Sequence, residues 1–164
     1  MVFRPLRYFG DPVLKTPCKE VTAFDAGLKS LITDLLETVD APGRAGLAAP
    51  QIGVGLRAFS YHVEDEVGYV INPVVVETSS DEQDGPEGCL SVPGLYYPTQ
   101  RARWAKVTGV DWDNQPIEVS GEGLMARCLL HETDHLDGML YLQRLTDEHR
   151  KEAMRQIRRA EWFT

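Results

Sequence analysis

Three stretches of the chain are predicted to be α-helices, and in the first of them the apolar residues recur at the spacings of three and four that give a helix one buried face. The first stretch covers residues 25–39, where Asp25 is placed to cap the helix. The second covers residues 122–137 and the third covers residues 147–160, which Thr146 can cap. The pattern therefore predicts an N-terminal helix, a second helix late in the chain and a C-terminal helix.

Between the first two helices, short runs rich in β-branched residues are typical of strands. The predicted strands cover residues 58–63, 69–77 with a break at Pro73, 106–112 and 115–119. We therefore expect an α+β fold, with mostly antiparallel sheets packed around a central helix that spans residues 122–137. A length of 164 residues suits one domain, so residues 1–164 are predicted to form a single unit.

Composition narrows the class of protein. A net charge of −8 disfavours nonspecific binding to DNA, and no run approaches the ~20 apolar residues of a membrane span. The three cysteines are too few and too scattered for a disulfide framework. We therefore expect a cytoplasmic protein with no membrane partner.

The chemistry-bearing motif on the second helix is His131-Glu132-Thr133-Asp134-His135. Two histidines four residues apart on a helix point the same way, so one metal ion can meet both imidazoles. Glu132 lies beside them, where it can act on water as a general base without being a ligand. The alternative is two core histidines and a surface glutamate.

A lone cysteine supplies the third predicted ligand. Cys89 lies in the glycine-flanked segment Glu87-Gly88-Cys89-Leu90-Ser91. Two histidines and one cysteine leave a fourth position open, which is typical of a catalytic metal site. Cys128 is on the same helical stripe as the histidines and is expected to be a packed core thiol.

A third segment, residues 46–53, reads Gly-Leu-Ala-Ala-Pro-Gln-Ile-Gly. Its small residues let the backbone approach a ligand closely. Gln51 offers a neutral amide donor that can stabilise an oxyanion, and the Leu90 backbone N–H can do the same. Without the other motifs, the segment would be interpreted as a tight loop that enters a strand.

Together the three segments resemble the signature motifs of peptide deformylases, in order and in separation. The family patterns are Gly-x-Gly-Leu-Ala-Ala-x-Gln, Glu-Gly-Cys-Leu-Ser and Gln-His-Glu-x-Asp-His-Leu, and the second is unchanged here. The first differs at Arg44, which stands in place of a glycine, and the third at Leu130, which stands in place of a glutamine. The resemblance extends over nearly the whole chain.

The resemblance implies a hydrolase that removes the N-formyl group from the N-terminal methionine of newly made polypeptides and releases formate. It implies Fe²⁺ in the cell, with Zn²⁺, Ni²⁺ or Co²⁺ as occupants of purified protein. It also implies that Glu87 pairs with Arg101 to brace the cysteine loop.

Substrate contacts are predicted around the same site. The small residue Gly46 suits a tight pocket for the formyl group, and Leu124, Cys128 and His131 are expected to line an apolar slot for the methionine. Arg44 either points away or reaches the cleft mouth, where it would favour acidic groups on the peptide.

The last helix is locally basic in an acidic protein, with five cationic residues: Arg150, Lys151, Arg155, Arg158 and Arg159. These are either a solvated face or a contact with ribosomal RNA, as the family resemblance suggests.

Two other functions fit parts of the sequence. A zincin-type metalloprotease shares the two-histidine helix but would need a third ligand further along, at Glu148 or His149. A non-catalytic, metal-stabilised relative would need neither Glu132 nor Gln51. The Cys89 motif disfavours the first alternative, and the presence of Glu132 and Gln51 disfavours the second.

Overall fold

All three predicted helices are present in the computed structural model, which describes residues 3–163. They are α1 (Ala26–Val39), α2 (Leu124–Leu136) and α3 (Asp147–Arg159). The Asp25 carboxylate accepts from the backbone N–H of Leu28 at 3.0 Å, and the Thr146 hydroxyl oxygen accepts from that of His149 at 3.2 Å. Both predicted caps are confirmed. The longest of these helices has 14 residues, and none in the described part of the chain could cross a membrane.

Within residues 3–163, nine strands form three antiparallel sheets. They are β1 (Gly46–Ala48), β2 (Ala58–Val63), β3 (Glu66–Thr78), β4 (Glu82–Gln83), β5 (Pro86–Cys89), β6 (Val92–Pro98), β7 (Arg101–Ala102), β8 (Trp104–Val110) and β9 (Pro116–Glu122). The largest sheet has the order β1-β2-β3-β8-β9, while β4 pairs with β7 and β5 pairs with β6. The antiparallel α+β prediction is confirmed.

The five-stranded sheet separates α1 from α2, because alternate side chains along β2 face opposite sides. Ala58 packs in one core cluster with Leu31 and Leu35 of α1. Phe59 packs in a second cluster with Met125 and Leu129 of α2. Helix α2 is buried on almost every side, and it also contacts β7 of one of the smaller sheets. A helix so enclosed can hold polar side chains away from bulk water.

The predicted break at Pro73 is instead an irregularity inside one strand. Strand β3 continues through Pro73, and its register with β8 shifts between Ile71 and Val74. Asn72 has a left-handed backbone, with φ of 52°, and its side chain both accepts from the Val21 N–H at 2.8 Å and donates to the Val21 carbonyl at 3.0 Å. The bulge accommodates the proline and ties the N-terminal segment to the sheet.

We predict that Asn72→Ala lowers the free energy of unfolding by about 2–3 kcal/mol, because it removes two hydrogen bonds and leaves alanine in a left-handed conformation. Chemical denaturation measures the change. Asn114 is the matched control: it has φ of 60° at a hairpin turn. Asn114→Ala should cost only about 1 kcal/mol. Equal losses in the two variants would contradict the role given to the Asn72 side chain.

Candidate metal centre and active site

Helix α2 brings His131 and His135 onto one face, and β5 brings Cys89 against them. The Nε2 atoms of the histidines are 3.2 Å apart, and the Cys89 Sγ lies 3.3 Å from Nε2 of His135. All three donor atoms lie within 4.8 Å of one another. In a tetrahedral site with bonds of about 2.0–2.3 Å, neighbouring donors are about 3.3–3.6 Å apart. The donor set and its spacing therefore fit a divalent metal.

The orientation of His131 is set by Glu87. Nδ1 of His131 donates to Oε2 of Glu87 at 2.7 Å, which directs the lone pair of Nε2 toward the other donors. Nδ1 of His135 is buried and has no hydrogen-bond partner among the described residues. The two histidines are therefore held differently, one by a carboxylate and one by packing in the helix.

Glu87 is one of the most enclosed charges in the protein, with an exposed fraction of 4%. Arg101 donates to both carboxylate oxygens, at 3.0 and 2.6 Å, which confirms the predicted pair. Arg127 donates to the same carboxylate at 2.7 Å. Burial alone would raise the pKa of Glu87, but the hydrogen bonds from His131 and Arg101 outweigh it and hold the pKa far below its usual range. The group is thus a fixed negative charge behind His131.

The other two cysteines are placed differently from Cys89. The Cys128 thiol is buried and lies 3.3 Å from the carbonyl of Ala45, to which it donates. Burial raises the pKa of Cys128 well above its usual value, so it remains a neutral thiol. Cys18 is half-buried outside the donor cluster, and burial raises its pKa as well. Cys89 is the thiol that meets the two histidines.

Glu132 lies beside the donor cluster, with its Oε2 3.9 Å from Nε2 of His131. Its other oxygen is buried and has no hydrogen-bond partner in the part of the chain that the structure describes. Burial raises the pKa of Glu132 to about 7, against the opposing effect of His131 and with a further contribution from Glu87. A carboxylate with such a pKa can exchange protons near neutral pH.

The absence of a side chain at Gly46 leaves room for Glu132. A Cβ at residue 46 would lie 2.6 Å from Oε2 of Glu132 and 2.8 Å from Sγ of Cys128, closer than real Cβ contacts. Glycine is required there by close approach rather than by backbone angles. Strand β1 can therefore pass directly over the general-base candidate.

Gln51 is held by its own loop and points toward the cysteine. Its Oε1 accepts from the Ala48 N–H at 2.9 Å, while Nε2 donates to the Ser91 hydroxyl at 3.1 Å and lies 3.7 Å from Sγ of Cys89. Leu90, next to Cys89, is half-buried. Both proposed oxyanion donors thus lie beside the donor cluster.

One cavity of about 490 Å³ joins these groups. The residues that line it include nine predicted from the sequence: Arg44, Gly46, Gln51, Cys89, Leu90, Leu124, Cys128, His131 and Glu132. Leu124 is half-exposed at the start of α2, and Cys128 and His131 follow along the same helix. The cavity extends from the donor cluster to solvent.

The two departures from the family pattern lie at different places. Arg44 borders the cavity, but its Nη1 donates to the Thr38 carbonyl at 2.6 Å and its guanidinium lies 6.0 Å from the centre of the Phe3 ring. The arginine charge thus stabilises the C-terminal end of α1. Leu130 lines a separate surface depression with Arg101.

Sequence reasoning assigned no role to several residues that support the site. Asp134 receives hydrogen bonds from Arg101 at 2.7 Å and from two nitrogens of Arg144, at 2.6 and 2.8 Å. The ring of buried Tyr141 stacks near His131, with centroids 6.2 Å apart. Asp134 sits inside the recognised helix motif, which was the available signal; Tyr141 and Arg144 had none.

The fold and site together define the class of protein, an α+β protein with a candidate metal site of two histidines and one cysteine. The sequence profile of the polypeptide deformylase family matches residues 3–151. The chain belongs to the peptide deformylase family.

Relatives and solved structures agree with this assignment. A peptide deformylase of Acidothermus cellulolyticus is 56% identical over 99% of this chain and 89% of its own length, and one of Parafrankia is 47% identical over the same shares. The crystal structure of a Legionella pneumophila peptide deformylase superposes with a TM-score of 0.89 at 38% identity, covering 96% of this chain and 95% of that one. The crystal structure of the Ehrlichia chaffeensis peptide deformylase in complex with actinonin superposes with a TM-score of 0.91 at 31% identity, covering 98% of this chain and 99% of that one.

We predict that Glu87→Ala lowers the free energy of unfolding by about 3–5 kcal/mol, because it removes a carboxylate partner from buried Arg101 and Arg127. Urea denaturation measures the loss. The control is Glu118→Ala, since Glu118 makes an exposed 3.6 Å pair with Lys106. That variant should change stability by about 1 kcal/mol or less. A loss in Glu87→Ala as small as the control's would contradict the structural weight given to the network.

Proposed function

We propose that this enzyme removes the N-formyl group from the N-terminal methionine of nascent polypeptides and releases formate. The observation that carries the proposal is the cluster of Cys89, His131 and His135 donors beside a buried glutamate, of which Cys89, His131 and Glu132 line one cavity. Family membership makes the carbonyl substrate a formyl group rather than another acyl group. The whole described chain acts as one domain in this proposal, since the site draws on elements from β1 to α2.

Cys89, His131 and His135 are proposed to hold one divalent metal ion. Thiolate and imidazole suit Fe²⁺, and they also suit Zn²⁺, Ni²⁺ and Co²⁺. We propose Fe²⁺ in the cell, with the other ions as occupants of purified protein. When bound, such an ion would polarise the substrate carbonyl and lower the pKa of water.

Glu132 is proposed to move the protons. Its carboxylate takes a proton from the attacking water and later gives it to the departing amine, so that the formyl C–N bond breaks as the free N-terminus forms. The proposal is supported by the distance of 3.9 Å between Oε2 of Glu132 and Nε2 of His131, which brings the proposed base close to a proposed metal ligand. The close packing of Gly46 over Glu132 fixes the carboxylate there.

Gln51 and Leu90 are proposed to stabilise the negative charge that develops on the carbonyl oxygen. The Gln51 amide is already oriented by the Ala48 N–H and by Ser91, so it need not reorganise during the reaction. The Leu90 backbone N–H, next to Cys89 in the chain, is the second proposed donor.

Selectivity for the formyl group is proposed to arise from the limited space beside Glu132. Strand β1 passes close over Glu132 at Gly46, and this close approach is proposed to exclude acyl groups larger than formyl. Leu124, Cys128 and His131, which line the cavity, are proposed to form the slot for the methionine side chain. Arg44 is also proposed to contact substrate residues beyond the methionine, although its guanidinium donates a hydrogen bond to the Thr38 carbonyl.

Cellular context forms a further part of the proposal. The enzyme is proposed to work in the cytoplasm during protein biosynthesis, where nascent formylated chains are its partners. The outer surface of α3 carries a depression lined by Arg150, Lys151, Met154, Arg155 and Arg158. This basic surface is the proposed point of contact with the ribosome.

Neither alternative function accounts for the features of the site. A zincin would use Glu148 or His149 as a third ligand, but within the described residues the donors that cluster are Cys89, His131 and His135. A purely structural metal site would have no use for the cavity that opens from it. The deformylase reaction uses all of these features.

We predict that Cys89→Ala, His131→Ala and His135→Ala each abolish formate release and lower bound metal, because two protein donors remain in each case. Metal content is measured on purified protein beside a formate-release assay on a formyl-methionyl peptide. Cys18→Ala is the matched control, since Cys18 lies outside the donor cluster, and it should retain metal and activity. Full metal content in Cys89→Ala would remove Cys89 from the ligand set.

We predict that Glu132→Gln keeps the metal and loses proton transfer, which lowers kcat by roughly 10²–10⁴-fold. The amide has the size of the carboxylate but cannot take a proton. The kinetics are measured with metal content held equal to that of the wild type. Turnover near the wild-type rate would show that another group acts as the base.

A further inference from the structure

The C-terminal turn packs on the N-terminal segment through aromatic rings. This turn, a 3-10 helix from Glu161 to Phe163, follows α3. The Trp162 ring lies 5.7 Å from that of Tyr8, and the Phe163 ring lies 5.9 Å from that of Phe9. Aromatic pairs at this distance contribute stabilising free energy beyond that of burying their apolar surface. The two ends of the described chain are thus joined.

The N-terminal segment of residues 6–9 in turn forms part of the active site. The Arg7 N–H donates to the Gln51 carbonyl at 2.7 Å, and the Phe9 N–H donates to the Ser91 carbonyl at 2.8 Å. Leu6 and Tyr8 line the cavity. The segment therefore bridges the loops of the two proposed oxyanion donors while its alternate side chains form a cavity wall.

Within the described residues, the Tyr8 ring makes its aromatic contact with Trp162. Residues 6–9 belong to no helix or strand, and Tyr8 is 39% exposed. The ion pair from Arg7 to Asp11 is solvent-exposed, and pairs of that kind contribute little. Trp162 is half-buried and packs, together with Phe9 and Cys89, against one core cluster. It therefore connects Tyr8 to a fixed part of the fold.

We propose that Trp162 is a positioning residue for peptide binding, acting through Tyr8 on the wall of the substrate cavity. The inference rests on the proposed deformylase function and extends it to a residue that lies outside the three motifs. Trp162 should affect how well the peptide binds and leave the chemical step largely unchanged, because Glu132 and the donor residues are carried by α2 and β5 rather than by the N-terminal segment that Tyr8 belongs to.

The test compares Trp162→Ala and Trp162→Leu with wild type on the substrate formyl-Met-Ala-Ser. KM should rise about 2- to 10-fold, the range that the loss of one aromatic pair allows. The kcat value should stay within about twofold. Trp162→Phe keeps a ring beside Tyr8 and should restore KM. The Kd of the product Met-Ala-Ser, measured by calorimetry, should rise by the same factor as KM and does not depend on turnover.

Trp112→Ala is the matched control. Trp112 makes a similar contact with Tyr69, at 5.6 Å, and neither residue lines the cavity. This variant should lose stability without a change in KM. Thermal unfolding of every variant ensures that binding is compared below each Tm.

A double-mutant cycle with Tyr8→Ala tests the route of the effect. If Trp162 acts through Tyr8, then Trp162→Ala should add nothing to KM once Tyr8 is alanine. The inference is overturned if both Trp162 variants bind like wild type, if Trp112→Ala raises KM equally, or if the Tyr8 and Trp162 effects add. Failure of wild type to release formate or bind Met-Ala-Ser would instead contradict the proposed function.

Discussion

The site depends on the hydrogen bonds that the buried carboxylate of Glu87 accepts. This carboxylate joins β5, which carries Cys89, to α2, which carries His131, and it accepts hydrogen bonds from Arg101, Arg127 and His131. A buried charge is costly unless it is paired and hydrogen-bonded, so this point of the fold tolerates few alternatives. His131 is thus oriented by a network that satisfies its own buried charges.

The environments of two buried carboxylates near His131 shift their pKa values in opposite directions. Glu87 has three cationic or imidazole donors around it, and its pKa lies far below the usual range. Glu132 has an unpartnered oxygen among the described residues and a pKa of about 7, raised chiefly by burial. Two carboxyl groups whose pKa values differ so widely are suited to different roles. Glu87 holds its charge and orients His131, while Glu132 is able to exchange a proton.

The cavity wall is assembled from distant parts of the chain. Strand β1 supplies Gly46, α2 supplies Leu124 and Cys128, and the N-terminal segment supplies Tyr8. The departure from the family pattern at Arg44 fits this assembly, because its guanidinium binds the end of α1 and lies over Phe3. The rim of the cavity is thus attached to the helix beside it.

The sequence by itself determined the three helices, the antiparallel α+β class and the three residues of the donor cluster, because these depend on local periodicity and on motifs such as His131 to His135. It predicted the Glu87–Arg101 pair only through family resemblance. Tertiary structure decided that β3 continues past Pro73, since the Asn72 bulge is stabilised by hydrogen bonds to Val21, 51 residues away in the chain. It also decided the contacts of Arg144 and Trp162, because no local pattern encodes a partner that is distant in sequence.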